Sequence, residues 1–380
     1  MKTLLLSLLV FFSAAACEKD ILIPRPELEA GADYSSHPKH AQYQAQLDAY
    51  RRNSNSPGAI LLVARKNEPI WAGASGKANL EHQSPMQTNT PFRVGSITKM
   101  MVSAAILQLV ERGQLRLEDP LEDLLPQVRG EIPQAGRITL RHLLSHLSGI
   151  FDPPNGSKRY QLDLADNPEA MADKTIPQRL EEYVYGKPLH FEPGTAYSYS
   201  NANFWLLGMI LESKTGKSAP EALRERIFAP LGMTHTYLEK RDDPNVARGY
   251  ADIYGDGKLL DVSRWDRADT DGDPAGGVIS TAADLMRFLR GLMEGQLLGP
   301  SYLELMKQIQ LETCDNIFCE YGLGIEIWRI GADGIGYGHN GGAVGIEANA
   351  IYLPATGNLV VLYKNNGNGS DKSFLDGLLK

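Results

Sequence analysis

Residues 91–113 read PFRVGSITKMMVSAAILQLVERG, and from 97 to 110 the apolar residues point in every direction of a helical wheel. A helix that is apolar on all sides is normally buried. We expect this helix to begin at Ser96, a residue type that caps helices well, and to end at Gly113, a typical residue just past a helix end. The rest of the chain should therefore pack around it.

Ser96 and Lys99 are three residues apart and so share a face at the start of this helix. A lysine near a helix N-terminus opposes the helix dipole by about 0.3–1 kcal/mol, and burial disfavours its charge further, so both effects lower its pKa. A partly neutral lysine can activate a serine nucleophile that has no adjacent histidine. Ser96 and Lys99 are the candidate nucleophile and base. A helix cap beside a lysine that reaches solvent is the alternative, because S-x-x-K also occurs at 36–39.

The composition is that of a folded protein with no general nucleic-acid surface. The 380 residues are 43% hydrophobic and 22% charged, and the formal net charge is -8 without a dense basic run. Nucleic-acid surfaces usually show a basic excess, so we expect no nucleic-acid partner. The length fits one large domain or two lobes.

The N-terminal residues have the pattern of an export signal. A positive start is followed by an apolar run at 4–12 and by small residues up to Ala16, and the run is far shorter than the about 20 residues that span a bilayer. The pattern resembles a bacterial lipoprotein signal, although Ala14 stands where leucine is usual. We therefore expect a signal peptide at 1–16, a lipidated Cys17, a tether at 17–40, and a protein anchored to the membrane that faces the periplasm or cell exterior. A secreted protein cut after Ala16 is the alternative.

Two further cysteines, Cys314 and Cys319, lie close together in the sequence. Disulfides persist in exported compartments, so a bridge between them is possible, with two free thiols as the alternative. No histidine lies near them in sequence, which disfavours a catalytic role.

The order of the predicted elements indicates an α+β domain at 41–380. Two apolar runs around a polar turn at 58–77 predict a hairpin, and strand patterns return at 322–330, 345–352 and 359–364. Helical patterns separated by Pro/Gly loops lie between them. We expect an antiparallel sheet lobe from about 41–85 and 275–380, with a helical lobe inserted at about 86–274 and a cleft between the lobes.

The stretch FEPGTAYSYSN at 191–201 carries Tyr199 and Asn201, which face the same way if the segment is extended. A phenol can relay a proton, and an amide can hold a substrate amide through its donor and acceptor. A structural loop that caps the next helix is the alternative.

The stretch HNGG at 339–342 opens a predicted hairpin. Glycines behind His339 would let a substrate backbone approach closely, and the Gly342 N–H could face a developing oxyanion. A glycine-rich turn is the alternative reading of this stretch alone.

Together these pieces resemble the penicillin-recognising serine hydrolases, in the branch of the D-alanyl-D-alanine carboxypeptidases and class C β-lactamases. The resemblance covers about 55–366 and includes further blocks, which are 90–99, LRHLLSHLSG at 140–149, and AGGVISTAAD at 275–284. It implies a β-lactamase/transpeptidase-like fold.

The resemblance also implies a role for each matching residue. Ser96 would be acylated, Lys99 would accept its proton, and Tyr199 would shuttle protons through a depressed pKa. Asn201 would bind the acyl side-chain amide, and His339 and Gly341 would contact substrate. The backbone N–H groups of Ser96 and Gly342 would form the oxyanion hole.

His339 stands where lactamases of this branch usually place a lysine, which argues against efficient β-lactam hydrolysis. The expected substrates are peptides ending in D-alanine, including cell-wall peptides, or small amides and esters. A β-lactamase acting on β-lactams and a non-hydrolysing penicillin-binding or scaffold protein are the alternatives. Specificity should reside in two loops, at 152–167 and 252–272.

No metal or organic cofactor is expected. His142 and His146 have H-x-x-x-H spacing but lack the glutamate of a zinc motif, and the aspartates at 269, 271 and 273 lack the glycine and glutamate of a calcium loop.

Overall fold

The computed structural model describes residues 31–311, 320–331, 334–367 and 371–379. The predicted signal peptide, Cys17, and the pair Cys314 and Cys319 lie outside the described residues. Within them, no helix is both long and apolar enough to cross a membrane.

A seven-stranded antiparallel sheet, counted over the described ranges, is built from both ends of the chain. Its order is β3-β2-β1-β11-β10-β9-β8, so the N-terminal hairpin pairs with the C-terminal strands through β1 and β11. The predicted α+β fold is thus confirmed. The strands of this sheet are β1 (Gly58–Ala64), β2 (Trp71–Asn79), β3 (Ser84–Pro85), β8 (Glu326–Ile330), β9 (Gly334–Ala343), β10 (Ile346–Leu353) and β11 (Asn358–Lys364). Two small pairs join β4 (Phe92–Arg93) to β7 (Ile279–Ser280) and β5 (Tyr250–Ala251) to β6 (Leu260–Asp261).

The sheet is covered on both faces, which explains why β1 is buried along its whole length. Its alternate residues Ile60 and Leu62 belong to the large core shared with the helical lobe. Leu61 and Val63 belong to a second core under the terminal helices. A strand buried on both faces reads as a continuous apolar run rather than an alternating one.

The helices fall into a terminal pair and an inserted set. The terminal pair is α1 (His40–Asn53) and α14 (Lys372–Leu379), which pack against the outer face of the sheet. The inserted set comprises α2 (Thr98–Glu111), α3 (Leu121–Leu124), α4 (Leu140–Leu144), α5 (Pro153–Gly156), α6 (Lys158–Asp166), α7 (Pro168–Asp173), α8 (Ile176–Tyr183), α9 (Asn201–Thr215), α10 (Ala219–Leu223), α11 (Ser263–Thr270), α12 (Ala282–Met293) and α13 (Pro300–Lys307).

Helix α2 is the buried helix that the sequence predicts, with every residue from Thr98 to Val110 buried. Its start differs from the prediction. Ser96 does not cap the helix but lies in the middle of a 3-10 turn, Gly95–Ile97, that leads into α2. The turn begins at Gly95 with a positive φ of 54°, a conformation that glycine adopts readily. This turn leaves the Ser96 side chain partly exposed at the inner end of the cleft.

The two segments expected to be loops contain helices. The first, 152–167, holds α5 and α6, and the second, 252–272, holds α11. Side chains of both α6 and α11 line the cleft in front of Ser96.

Candidate active site

The side chain of Lys99 lies beneath Ser96 and makes three short polar contacts. Its Nζ is 2.9 Å from the Ser96 Oγ, 2.8 Å from the Asn201 Oδ1 and 2.6 Å from the backbone oxygen of Ala275. The lysine is fully buried, with its amine close to the rings of Tyr199 and Phe204. The structure therefore brings together the serine and the lysine that the sequence paired.

Burial lowers the pKa of Lys99 to about 7, although the carboxylates of Asp273 and Asp152 oppose the shift. A neutral amine has two hydrogens to donate and one lone pair. The oxygens of Asn201 and Ala275 can only accept, so they take both hydrogens. The lone pair is left for the third contact, the Ser96 hydroxyl, as a general base requires.

Tyr199 approaches Ser96 from another direction, and its phenol donates to the Ser96 Oγ at 2.7 Å. The prediction of a depressed pKa for Tyr199 is wrong. Burial raises the pKa of this phenol well above its usual value, and the hydrogen bond with Ser96 does not offset that effect. Tyr199 is therefore a neutral hydrogen-bond donor at Ser96, and Lys99 is the group that can take the proton.

Asn201 is the first residue of α9, and its amide is held at both ends. The Oδ1 accepts from Lys99, and the Nδ2 donates to the Asp152 Oδ1 at 3.2 Å. The same Asp152 oxygen accepts from the Asn201 backbone N–H at 3.0 Å. Asp152 thereby fixes the orientation of the amide. Asn201 also lines the cavity in front of Ser96, in reach of a bound substrate.

The backbone of β9 lies against the turn that carries Ser96, and two glycines permit this approach. A Cβ on Gly341 would be 1.9 Å from the Val94 carbonyl oxygen and 3.0 Å from the Ser96 nitrogen. A Cβ on Gly95 would be 2.7 Å from the Gly342 nitrogen. The backbone nitrogens of Ser96 and Gly342 are therefore close neighbours, an arrangement suited to stabilising an oxyanion. Gly341 itself packs against the turn and does not line the cavity, whereas Gly342 does.

His339 is placed behind the cavity wall rather than on it. The ring is fully buried, and its Nδ1 lies 2.5 Å from the Asn340 backbone oxygen, which can only accept. The Nε2 must then accept from the Tyr321 hydroxyl at 2.9 Å. Burial and the nearby Lys99 lower the pKa of His339 to about 3. The imidazole is neutral with both nitrogens engaged, so direct substrate contact by His339 finds no support in this arrangement.

His146 belongs to the site although the sequence analysis considered it only as a zinc ligand. It is buried, with its ring 4.2 Å from that of Tyr199, and its Nδ1 accepts from the Ser200 N–H at 3.2 Å. Asp152, Asp273 and Tyr321 are also absent from the sequence-based set. The block at 140–149 contains His146 and carried the only signal for it, whereas the others are recognisable only once the chain is folded.

A cavity of about 730 Å³ opens in front of Ser96. Its walls come from α6, α11, β9 and the loops beside them, and Tyr199 and Asn201 form its inner end. A second cavity of about 520 Å³ lies on the other side of Tyr199 and Asn340, which line both. The two cavities therefore meet at Tyr199 and Asn340, and Ser96 lines the first of them.

The described residues contain no group of three or more side chains suited to hold a metal ion. Serine, lysine and tyrosine side chains together suffice chemically for acyl transfer through a covalent intermediate.

Comparison with known proteins points to one family. The sequence profile of the Beta-lactamase family matches residues 43–378. Penicillin-binding protein 4 of Amycolatopsis lactamdurans is 29% identical over 343 residues, which cover 86% of each protein. Esterase EstB of Burkholderia gladioli is 33% identical over 217 residues, which are 56% of this chain and only 55% of the esterase. The solved structure of a D-stereospecific amidohydrolase from Streptomyces sp. superposes with a TM-score of 0.75 at 28% identity, covering 87% of this chain and 96% of that one.

Proposed function

Because the chain belongs to the Beta-lactamase family and is a serine hydrolase, we propose that it forms an acyl-enzyme on Ser96 and hydrolyses small amides and esters. The observation that carries the proposal is the set of contacts at Lys99, whose two hydrogens are occupied by carbonyl oxygens while its lone pair faces the Ser96 hydroxyl. Esterase and amidohydrolase relatives support this substrate class.

In the proposed reaction, the Ser96 Oγ attacks the substrate carbonyl carbon and its proton moves to Lys99. The oxyanion is stabilised by the backbone N–H groups of Ser96 and Gly342. The proton then passes from Lys99 to the leaving group with Tyr199 as the connecting hydroxyl, and the carbon–leaving-group bond breaks. Water, activated by Lys99, hydrolyses the ester on Ser96 and restores the serine.

The position of Tyr199 between the two cavities suggests which part of the substrate each receives. Asn201 lines only the first cavity, where we place the acyl group. The leaving group must reach the Tyr199 hydroxyl and depart past it, so we place it in the second cavity.

The charges around the leaving-group cavity favour a neutral leaving group over one that carries a carboxylate. His339 is neutral and buried. The cations on this wall are Arg329, which is paired with Glu320, and Lys372, which is bonded to Asp376 and the Arg329 backbone. A peptide ending in D-alanine or a β-lactam would therefore bring a carboxylate to a site without an uncommitted cation among the described wall residues. We rank both below uncharged amides and esters.

Intact-mass measurement tests the acyl-enzyme. We expect the wild-type protein to gain the acyl mass of 4-nitrophenyl acetate and to release 4-nitrophenol, and Ser96→Ala to do neither. The matched control is Ser103→Ala on the same helix, whose hydroxyl is buried and makes no hydrogen bond within the described residues. Acylation of Ser96→Ala at the wild-type rate would place the nucleophile elsewhere.

The same measurement ranks the substrates. We expect faster turnover of an alanine anilide or an acetyl ester than of a D-alanyl-D-alanine peptide or a penicillin. A long-lived penicillin adduct without ester turnover would instead favour the non-hydrolysing alternative.

We also propose that the protein is an exported lipoprotein, on the basis of the apolar run at 4–12 and the cysteine that follows the small residues. Lipidation at Cys17 predicts partition into the detergent phase of Triton X-114, and Cys17→Ala should move the protein to the aqueous phase. Equal partition of both forms would contradict this proposal.

A further inference from the structure

The acyl-group cavity has a negatively charged wall. The described residues that line it include Asp269 and Asp273 but no lysine, arginine or histidine. A wall with this charge repels anionic acyl groups and attracts cationic ones.

The two carboxylates differ in what already binds them. The Asp273 Oδ2 accepts from the Trp205 indole at 2.6 Å and from Arg179 at 3.3 Å, and its Oδ1 accepts from the Ala275 N–H at 2.6 Å. Asp273 is therefore fully engaged, and the guanidinium of Arg179 balances its charge.

Asp269 keeps a free acceptor. Its Oδ1 accepts from the Tyr160 hydroxyl at 2.5 Å, and Arg179 donates only to its backbone oxygen. No described residue donates to its Oδ2, and the side chain is partly exposed in the cavity wall. Among the described residues, Arg179 contacts the carboxylate of Asp273 but not that of Asp269, so a net negative charge remains on this wall.

An aromatic ring stands beside this carboxylate. Trp265 and Asp269 are four residues apart on α11, so they share one face of the helix, and both line the cavity. The Tyr160 side chain, from α6, lines the same cavity and donates a hydrogen bond to Asp269. A carboxylate together with an indole face is a combination that binds ammonium groups well, through an ion pair and a cation–π contact.

We propose that Asp269 and Trp265 bind a protonated amine on the acyl group, so that the preferred substrates are amides and esters of amino acids with a free amino group. This inference rests on the proposed function and names its substrate class. An uncharged acyl group would shield the Asp269 carboxylate from water without replacing its hydrogen bonds, which is unfavourable.

A pair of substrates with the same leaving group tests the inference. Alanine 4-nitroanilide, in both enantiomers, is compared with propionic acid 4-nitroanilide, which lacks only the amino group. At pH 7 an α-amino group with a pKa of about 7.7–8.0 is mostly protonated. We expect a higher kcat/KM for an alanine substrate, and a fall of about tenfold in that preference in Asp269→Asn.

The substitution is chosen to preserve the surrounding structure, because asparagine can still accept the Tyr160 hydrogen bond. Asp269→Glu should restore part of the preference, which a purely structural role would not predict. The control is Asp166→Asn, an exposed acid on α6 that does not line the cavity. It should keep the wild-type preference.

The outcomes separate the two proposals. If wild type and Asp269→Asn turn over both substrates with the same ratio of kcat/KM for the alanine and propionic acid anilides, the inference is overturned but the proposed function is not. Absence of any turnover or acyl adduct in the wild type, with any of these substrates or with 4-nitrophenyl acetate, would overturn the proposed function and with it the inference.

Discussion

Lys99 is the residue whose protonation state controls the nucleophile. Its amine can accept the Ser96 proton only when it is neutral, and burial brings its pKa down to about 7. Below that pH the ammonium form dominates, and the lone pair is lost. The remaining contacts of Lys99 are to oxygens that accept in either state, so protonation switches off the base without displacing it.

We predict that the acylation rate rises about tenfold per pH unit below pH 7 and reaches a plateau above it, because a single ionisation controls the base. Burst-phase release of 4-nitrophenol between pH 5 and 9 measures this dependence. Circular dichroism in the same buffers would identify any loss of activity that is due to unfolding. A flat profile across this range would exclude Lys99 as the titrating base.

For single residues, the sequence predicted which side chains belong to the site better than it predicted their burial and charge states. The S-x-x-K spacing indicated Ser96 and Lys99 and the direction of the lysine pKa shift, because a buried helix start is visible in the pattern. Tyr199 and His339 were placed in the correct segments, but their charge states depend on tertiary burial. The raised pKa of Tyr199 and the engaged nitrogens of His339 arise from neighbours distant in sequence.

Strand β9 is the element that brings the backbone of Gly341 and Gly342 to Ser96. The contact depends on the missing side chain at Gly341, which faces the Val94 carbonyl. Gly342 has no such constraint, since a Cβ there would be 3.9 Å from its nearest neighbour, the Ile346 oxygen. The two adjacent glycines therefore form a matched pair for substitution.

We predict that Gly341→Ala lowers the free energy of unfolding by about 1–3 kcal/mol, the usual cost of overpacking, and also lowers kcat because β9 must move away from Ser96. Thermal unfolding and ester hydrolysis measure the two effects. Gly342→Ala should change the stability much less. Equal stability losses in the two variants would argue against the close approach as the cause.

Elements with clear periodicity were predicted well, and those without it were missed. Strand β11 lies where the pattern at 359–364 placed it. The sequence analysis did not assign β9 as a strand, because GIGYGHNGGA is rich in glycine, which is depleted in strands. Helices α5 and α6 are short, and α5 begins with two prolines, so the segment 152–167 resembled a loop. The secondary structure of such segments is determined by tertiary packing rather than by the local sequence pattern.

On the scale of the whole molecule, Asp266 links the helical lobe to the sheet. It is buried on α11, and its Oδ1 accepts from the Gly345 N–H in the turn between β9 and β10 at 3.1 Å. Its Oδ2 is buried without a hydrogen bond from any described residue. Burial raises the pKa of Asp266 from 3.8 to about 7, although Arg93 opposes the shift.

The sign of the effect on stability follows from these two pKa values. Between pH 4 and 7 the folded protein binds this proton more tightly than the unfolded chain, so raising the pH through this window lowers the stability. Asparagine cannot ionise. We predict that the free energy of unfolding of Asp266→Asn, relative to wild type, rises by about 1–3 kcal/mol between pH 5 and pH 8.

Urea unfolding at the two pH values measures this difference, and other buried carboxyls cancel because they are common to both proteins. The control is Asp166→Asn, which removes a carboxylate from the exposed surface of α6 and measures the effect of the changed net charge alone. If the free energies of unfolding of Asp266→Asn and wild type change by the same amount between pH 5 and pH 8, Asp266 is already ionised at pH 5.

The architecture could be predicted because the strands that close the sheet lie at the two ends of the domain, with helical patterns between them. The contacts between the two lobes could not be predicted. The contacts of Asp266 with Gly345 and of Arg179 with Asp273 join segments without any local pattern that pairs them. Cavity shape depends on such contacts, which is why the substrate class that we propose is argued from the folded structure.

One of the atoms that orient the Lys99 amine is the backbone oxygen of Ala275. Every amino acid carries that oxygen, so no point mutation at position 275 can delete it. Mutations that accumulate in descendants of this protein can therefore change the cavity walls that determine substrate specificity, while the orientation of the Lys99 amine is retained. An active site of this kind should change its substrate specificity during evolution more readily than its catalytic mechanism.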